Sequence, residues 1–96
     1  PHHERTESIF AYGTLTNPIV RAYACWCMTS SEPATLTGYH KVGRDVVASS
    51  TATTAGALIQ VTPRELMRID RYEGVPRNYQ RIRVEVDGQP VWLYDQ

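Results

Sequence analysis

The segment of residues 62–74 constrains the fold most, because it carries both the start signal and the stop signal of one helix. Thr62 suits the N-cap, Pro63 suits the first helical position and Glu65 completes a capping box. Gly74 is the residue type that most often closes a helix. The segment therefore predicts a helix that begins at Pro63 and stops at Gly74.

Strand and helix signals alternate along the rest of the chain. A second helix is indicated by Asn17 as N-cap and Pro18 as first residue. On it, apolar side chains recur at helical spacing: Ile19, Ala22, Tyr23 and Trp26. The predicted strands cover residues 7–12, 34–39, 55–61, 79–86 and 90–94, with a weaker candidate at 45–48.

The connections between these strands carry their own signals. Asp87 and Gly88 predict a two-residue hairpin turn. Gly38 indicates a bulge. Residues 49–54 are small and polar, and we expect them to form a loop.

The order of these elements predicts an α+β fold with a mixed sheet that is able to curl into a small barrel. Ninety-six residues suit one core and no second domain. We expect residues 1–7 to be a disordered N-terminal segment and residues 8–96 to form a single domain.

Composition and charge exclude several classes of partner. Ten basic and ten acidic side chains give a formal net charge of zero, which argues against binding to nucleic acid or to a membrane surface. No apolar run approaches the roughly 20 residues that span a bilayer. The sequence predicts neither a metal site nor a cofactor, and it leaves the oligomeric state open.

The two cysteines, Cys25 and Cys27, are too close in sequence for an unstrained disulfide. We expect them to be buried, reduced thiols. A reduced pair favours a cytoplasmic location.

Two carboxylates lie at the end of the helix that follows Thr62. Asp70 and Glu73 continue the apolar stripe of Leu66 and Ile69, so they lie on or beside its inward face. Burial and the negative end of the helix dipole both raise the pKa of a carboxyl group toward the range of a general base. Glu73 is the better candidate, since its longer side chain can reach a pocket.

A structural role for the two acids is also open. Either carboxylate could be satisfied by backbone N–H groups of the Gly74 loop or by a nearby arginine, namely Arg71, Arg77, Arg81 or Arg83. Asp70 fits that role better, because it lies one turn further from the helix end.

The first predicted strand ends in the turn Tyr12, Gly13, Thr14 and Leu15. Gly13 permits a positive φ and lets a ligand approach the backbone closely. The helix that follows directs its N-terminus toward the same region, which favours an anion. The turn is a candidate site for a substrate carboxylate, although an ordinary strand-to-helix connection with Tyr12 in the core has the same pattern.

Three sequence blocks resemble one known family. They read FAYGTL at residues 10–15, GALIQV at residues 56–61, and IDRYEG followed by YQR within residues 66–81. Their order and spacing are similar to those of the gamma-glutamylcyclotransferase-like superfamily, which includes gamma-glutamylamine cyclotransferases and AIG2-like proteins.

The resemblance implies a small mixed β-barrel flanked by two helices. It implies that the turn of Tyr12, Gly13, Thr14 and Leu15 binds a glutamyl head group through its backbone, that Glu73 is the catalytic acid/base and that Tyr79 lies near the pocket. The implied reaction cyclises a small γ-glutamyl compound to 5-oxoproline and releases an amine or amino acid, without a cofactor.

Other interpretations remain open. A catalytically silent member of this fold would bind a small metabolite or a protein. An oligonucleotide-binding barrel would use the basic face formed by Arg77, Arg81 and Arg83. An anion site at His40, Lys41 and Arg44 competes with a solvated turn. The middle of the chain, residues 39–54, matches the family poorly and leaves the selection of the leaving group undefined.

Overall fold

The computed structural model describes residues 6–25, 30–43 and 45–95, apart from the side chains of Thr14 and Asp45. Within these ranges the chain forms five strands and two α-helices. In chain order they are β1 (Glu7–Ala11), α1 (Pro18–Cys25), β2 (Ser31–Val42), β3 (Asp45–Val61), α2 (Pro63–Glu73), β4 (Gln80–Val86) and β5 (Gln89–Asp95). A short 3₁₀ helix, Thr14–Thr16, connects β1 to α1.

The strands form one mixed sheet in the order β2-β3-β1-β5-β4. All neighbours are antiparallel except β1 and β5, which run parallel. The prediction of an α+β fold with a mixed sheet and two flanking helices is confirmed. The sheet is not closed by a hydrogen-bonded ladder between β2 and β4, so the term barrel applies only loosely.

Side chains alternate across β1 and divide the core into two layers. Ile9 and Ala11 face the helices and pack with Leu66 and Ile69 of α2. Phe10 faces the other side, where the β2–β3 hairpin packs over β4 and β5. The second layer consists of Phe10, Leu36, Val46, Val84, Val86, Val91 and Leu93.

The end signals of α2 act as the sequence predicts. The Thr62 hydroxyl accepts a hydrogen bond from the Glu65 N–H at 3.2 Å, and the Glu65 carboxylate accepts one from the Thr62 N–H at 2.8 Å. Gly74 closes the helix with φ 76°, and its N–H donates to the Arg71 carbonyl oxygen. Both ends of α2 are therefore fixed by local sequence.

Helix α1 begins at Pro18 as predicted, and the Asn17 side chain accepts a hydrogen bond from the Ile19 N–H at 2.9 Å. Its buried face differs from the apolar spacing, however. Arg21, Ala24 and Cys25 are buried, whereas Ile19 and Tyr23 are 79% and 73% exposed. Trp26 lies outside the described residues.

The largest error of the sequence analysis concerns residues 49–54, which are not a loop. They belong to β3, in which Thr53 and Thr54 pair with β2, whereas residues 49–52 lie in the break of register between Ala48 and Thr53. Thr54 is buried, and its hydroxyl donates to the Tyr39 carbonyl oxygen at 2.9 Å. The register shifts between Thr37 and Tyr39, so the bulge predicted at Gly38 is confirmed.

The prediction that the cysteines are reduced thiols is also wrong for Cys25, the cysteine that the structure describes. Cys25 is buried, as expected, but it is disulfide-bonded rather than reduced. Cys27 lies outside the described residues, as do residues 1–5 of the predicted N-terminal segment. Neither described helix is long and apolar enough to cross a membrane.

Candidate active site

The main cavity lies where the parallel strands β1 and β5 end. Its volume is about 990 Å³. Open sheets commonly bind ligands at the carboxyl ends of their parallel strands. The lining residues come from four parts of the chain: Phe10, Ala11, Tyr12, Gly13, Leu15 and Thr16; Lys41 and Gly43; Tyr72, Glu73, Asn78 and Tyr79; and Tyr94. Five of the six predicted site residues thus meet at one cavity.

The turn after β1 presents its backbone to this cavity. The Gly13 carbonyl oxygen accepts hydrogen bonds from the Thr16 N–H at 3.1 Å and from the Thr16 hydroxyl at 2.6 Å. The N–H groups of Thr14 and Leu15, in the first turn of this 3₁₀ helix, have no acceptor within the helix itself. Thr14, the sixth predicted site residue, lies in this turn, and its side chain lies outside the description.

Gly13 does not use the positive φ that a glycine permits. Its φ is not positive, unlike that of Gly38, Gly43, Gly74 and Gly88. A Cβ atom added at Gly13 would meet no other atom within 4 Å. The open space beside Gly13, rather than its backbone freedom, is the feature that suits ligand binding.

A buried arginine, which the sequence analysis did not identify, supports this turn. Arg21 on α1 is only 5% exposed, and its Nη1 donates to the Leu15 carbonyl oxygen at 3.2 Å. Leu15 itself is buried in the core beside the helices. Arg21 therefore places a positive charge beneath the turn and helps to fix its backbone. Nothing in the sequence indicated its burial, because the apolar spacing of α1 marks a different face.

Glu73 is the acid that faces the cavity. It lies at the last residue of α2, is half-buried, and forms no hydrogen bond or ion pair with any described residue. Burial raises the pKa of its carboxyl group above the ordinary value of 4.5. A half-buried carboxylate without a partner is suited to accept a proton from a ligand.

Asp70, one turn earlier, has the structural role that the sequence left open. It accepts hydrogen bonds from Arg81 Nη1 at 2.7 Å and from the Tyr94 hydroxyl at 2.6 Å. Burial, followed by the hydrogen bond to Asp70, raises the pKa of Tyr94, so its phenol stays protonated and donates. These contacts tie α2 to β4 and β5 just before Glu73.

Aromatic side chains form much of the remaining wall. The Tyr12 hydroxyl donates to the Tyr94 carbonyl oxygen at 2.7 Å, which links the turn to the end of β5. Tyr79 is half-buried against the helix-side core and lines the cavity, as predicted. Tyr72 reaches the cavity from α2 and makes an edge contact with Tyr23.

Two of the three arginines that suggested nucleic-acid binding, Arg81 and Arg83, make contacts within the fold. Arg81 and Arg83 lie over the Trp92 ring, with 4.3 and 3.8 Å to its centroid. Arg81 also pairs with Asp70, and Arg83 lies 3.9 Å from the Glu7 carboxylate. Across residues 6–25, 30–43 and 45–95, no group of three or more potential metal ligands occurs.

Comparison with known proteins identifies the family. Residues 9–95 match the family described as gamma-glutamyl cyclotransferase, AIG2-like. The chain belongs to this family. No curated protein is significantly similar to it.

Solved structures with the same fold are similar over almost the whole chain. Two solution structures from Arabidopsis thaliana have TM-scores of 0.79 and 0.78 at 26% and 24% identity. They cover 99% and 98% of this chain, which spans 66% and 70% of theirs. A crystal structure of an AIG2-like protein from Mus musculus has a TM-score of 0.68 at 20% identity. The match covers 99% of this chain and 78% of the mouse chain. The chain thus spans about two thirds of the length of the Arabidopsis structures.

Proposed function

We propose that the protein is a γ-glutamyl cyclotransferase. The observation that carries this proposal is the position of Glu73, a half-buried acid without a partner among the described residues, in the same cavity as the turn after β1. Membership of the gamma-glutamyl cyclotransferase, AIG2-like family supports the same reaction class.

The reaction needs no external nucleophile. The α-amine of the γ-glutamyl compound attacks its own γ-amide carbon, which forms the ring C–N bond. The amide C–N bond then breaks, giving 5-oxoproline and a free amine or amino acid. The enzyme has to hold the substrate in the ring-closing conformation, where proximity alone lowers the barrier substantially.

The residues at the cavity divide this work. In this proposal the N–H groups of Thr14 and Leu15 bind the glutamyl carboxylate, and Arg21 strengthens that site from beneath. Glu73 takes the proton from the α-ammonium group and transfers one to the leaving nitrogen. Tyr12 and Tyr79 form walls that keep the glutamyl chain folded.

Asp70 acts through Glu73 rather than on the substrate. Its two hydrogen bonds hold the last turn of α2, from which Glu73 projects. It is a positioning residue in this mechanism.

The location of the protein stays a prediction. The expectation of a cytoplasmic location used reduced cysteines, and the disulfide-bonded state of Cys25 removes that support.

A substrate panel tests the proposed function. Purified protein is incubated with γ-glutamyl amines, γ-glutamyl amino acids, γ-glutamyl dipeptides and glutathione, and both products are quantified. We expect 5-oxoproline and the released amine to form in equal amounts from at least one class. Binding without release of 5-oxoproline from any of them would favour the catalytically silent alternative.

A further inference from the structure

The tip of the β2–β3 hairpin supplies the only positive charge among the described residues that line the cavity. That charge is Lys41, which is exposed, and Gly43 lies beside it on the same wall. Glu73 is the only carboxylate on the described part of the wall. No described residue forms an ion pair with Lys41, so its ammonium group is available to a ligand.

The hairpin reaches this place because of the sheet topology. β3 pairs antiparallel with β1 only up to Ala57, and the hairpin continues past the end of β1. It folds back over the sheet, where Leu36 and Val46 pack against β4 and β5. The Val46 N–H lies 3.5 Å from the Asp95 carboxylate, at the end of β5. Lys41 therefore enters the cavity from an element separate from the turn and from α2.

The proposed reaction leaves this charge without a role in holding the glutamyl group. The turn binds the α-carboxylate and Glu73 serves the α-amine, and both groups belong to one carbon atom. The leaving group is attached at the other end of the glutamyl chain. A volume of about 990 Å³ lies at the upper end of the range for small-molecule pockets, so the cavity has room for a sizeable leaving group.

We infer that Lys41 binds a carboxylate carried by the leaving group, so that this chain prefers γ-glutamyl amino acids and peptides to γ-glutamyl compounds with a neutral leaving group. The inference rests on the proposed function and specifies its substrate class. An exposed ion pair of this kind corresponds to a preference of about two- to fivefold, which weakens as salt is added.

A matched pair of substrates measures this preference. γ-Glutamyl-alanine and γ-glutamyl-alaninamide have nearly the same size and differ in the charge of the leaving group. We expect kcat/KM to be about two- to fivefold higher for γ-glutamyl-alanine at low ionic strength, and the ratio to approach one at high ionic strength. A ratio of one at all ionic strengths would overturn the inference.

Three variants assign the preference to Lys41. Lys41→Gln should remove it, and Lys41→Arg should retain most of it. Arg64→Gln, which removes an exposed positive charge that does not line the cavity, should leave it unchanged. If Lys41→Gln slows both substrates equally, Lys41 binds the glutamyl carboxylate instead, and the inference is wrong.

Binding separates this inference from the proposed function. If no compound of the substrate panel releases 5-oxoproline, the proposed function fails, and calorimetry with γ-glutamyl-alanine and γ-glutamyl-alaninamide then decides the inference. Tighter binding of γ-glutamyl-alanine that depends on Lys41 would support it. Equal binding of the two compounds, or no binding of either, would overturn it.

Discussion

Glu73 and Asp70 are three residues apart on one helix, yet their surroundings assign them different roles. Asp70 is hydrogen-bonded by Arg81 and Tyr94, whereas Glu73 faces the cavity with no partner among the described residues. The difference arises from the elements opposite them, since β4 and β5 supply the partners of Asp70. The roles of Asp70 and Glu73 therefore depend on tertiary contacts, which cannot be inferred from their spacing in the sequence.

The raised pKa of Glu73 predicts a pH-dependent stability. Because burial raises the folded pKa above 4.5, the unfolded chain loses this proton at a lower pH than the folded protein does. The contribution of Glu73 to stability is therefore present at low pH and is lost as pH rises through the folded pKa. Urea denaturation gives the free energy of unfolding of both proteins. The value for Glu73→Gln minus the value for the unmodified protein should increase as the pH rises through the folded pKa of Glu73. A difference that does not vary between pH 4 and 7 would contradict the raised pKa.

A methyl group at Gly13 should affect ligand binding but not folding. The φ of Gly13 is not positive and its surroundings are open, so Gly13→Ala should change the free energy of unfolding by less than about 0.5 kcal/mol. Loss of one backbone contact to the ligand costs about 1 kcal/mol, which lowers kcat/KM roughly fivefold.

Gly56→Ala provides the contrast for this prediction. Its added Cβ would collide with the Ala11 carbonyl oxygen and the Phe10 ring, so it should destabilise the fold by about 1–3 kcal/mol. Thermal unfolding and turnover are measured for both variants. If Gly13→Ala leaves turnover unchanged, the turn does not contact the substrate.

At the level of the elements, features that depend on local signals were predicted better than features that depend on long-range contacts. The limits of α2 follow from Thr62, Glu65 and Gly74, because each acts on backbone groups within one turn. Residues 49–54 were mistaken for a loop because their small polar side chains favour no structure alone. Thr53 and Thr54 pair with β2, and residues 49–52 continue β3 across the break of register. The burial of Arg21 depends in the same way on what covers α1.

The candidate site was predicted through its sequence blocks rather than through its geometry. Glu73, Tyr12, Gly13, Leu15 and Tyr79 line one cavity, as expected of residues that form a common site. Lys41 was considered only for an anion site with His40 and Arg44, with a solvated turn as the alternative, and not as part of this cavity, because nothing in the sequence indicates that a hairpin folds back to the end of β5. The described part of the site therefore consists of local sequence motifs and of one wall, carrying Lys41, whose position depends on the path of the β2–β3 hairpin.

The link between α2 and β5 predicts an energetic coupling. The hydrogen bond from Tyr94 to the charged Asp70 should give a coupling energy of about 0.5–3 kcal/mol in a double-mutant cycle of Asp70→Ala and Tyr94→Phe. Both single variants should also lower kcat, because Glu73 follows on the same helix. Unfolding free energies and turnover are the measurements.

The exposed pair of Ser8 and Gln60, 2.9 Å apart, is the matched control for this cycle. Its coupling energy should be below about 0.5 kcal/mol, because water replaces the hydrogen bond. Additive effects of Asp70→Ala and Tyr94→Phe would show that the contact does not hold the helix end.

For the whole molecule, the mixed sheet determines where the site lies. The parallel pair of β1 and β5 brings the turn and Tyr94 to one edge, and α2 delivers Glu73 to the same edge. The hairpin closes the second core layer and adds Lys41 to the cavity wall. Packing of the hairpin is therefore a requirement of both the fold and the site.

Leu36→Ala tests this packing. Leu36 is fully buried between the hairpin and the sheet, so its truncation should cost about 2–5 kcal/mol in the free energy of unfolding. Met67→Ala, at a side chain that is 69% exposed, should cost less than about 0.5 kcal/mol. Equal effects of the two variants in denaturant unfolding would mean that the hairpin does not pack on the sheet.

The most direct test of the central claim is the release of 5-oxoproline by Glu73→Gln with the best substrate of the panel. We expect turnover to fall about 10²–10⁴-fold while calorimetry shows that the substrate still binds. Glu85→Gln, the same change at an exposed residue of β4, should turn over normally. Unchanged turnover by Glu73→Gln would contradict the account.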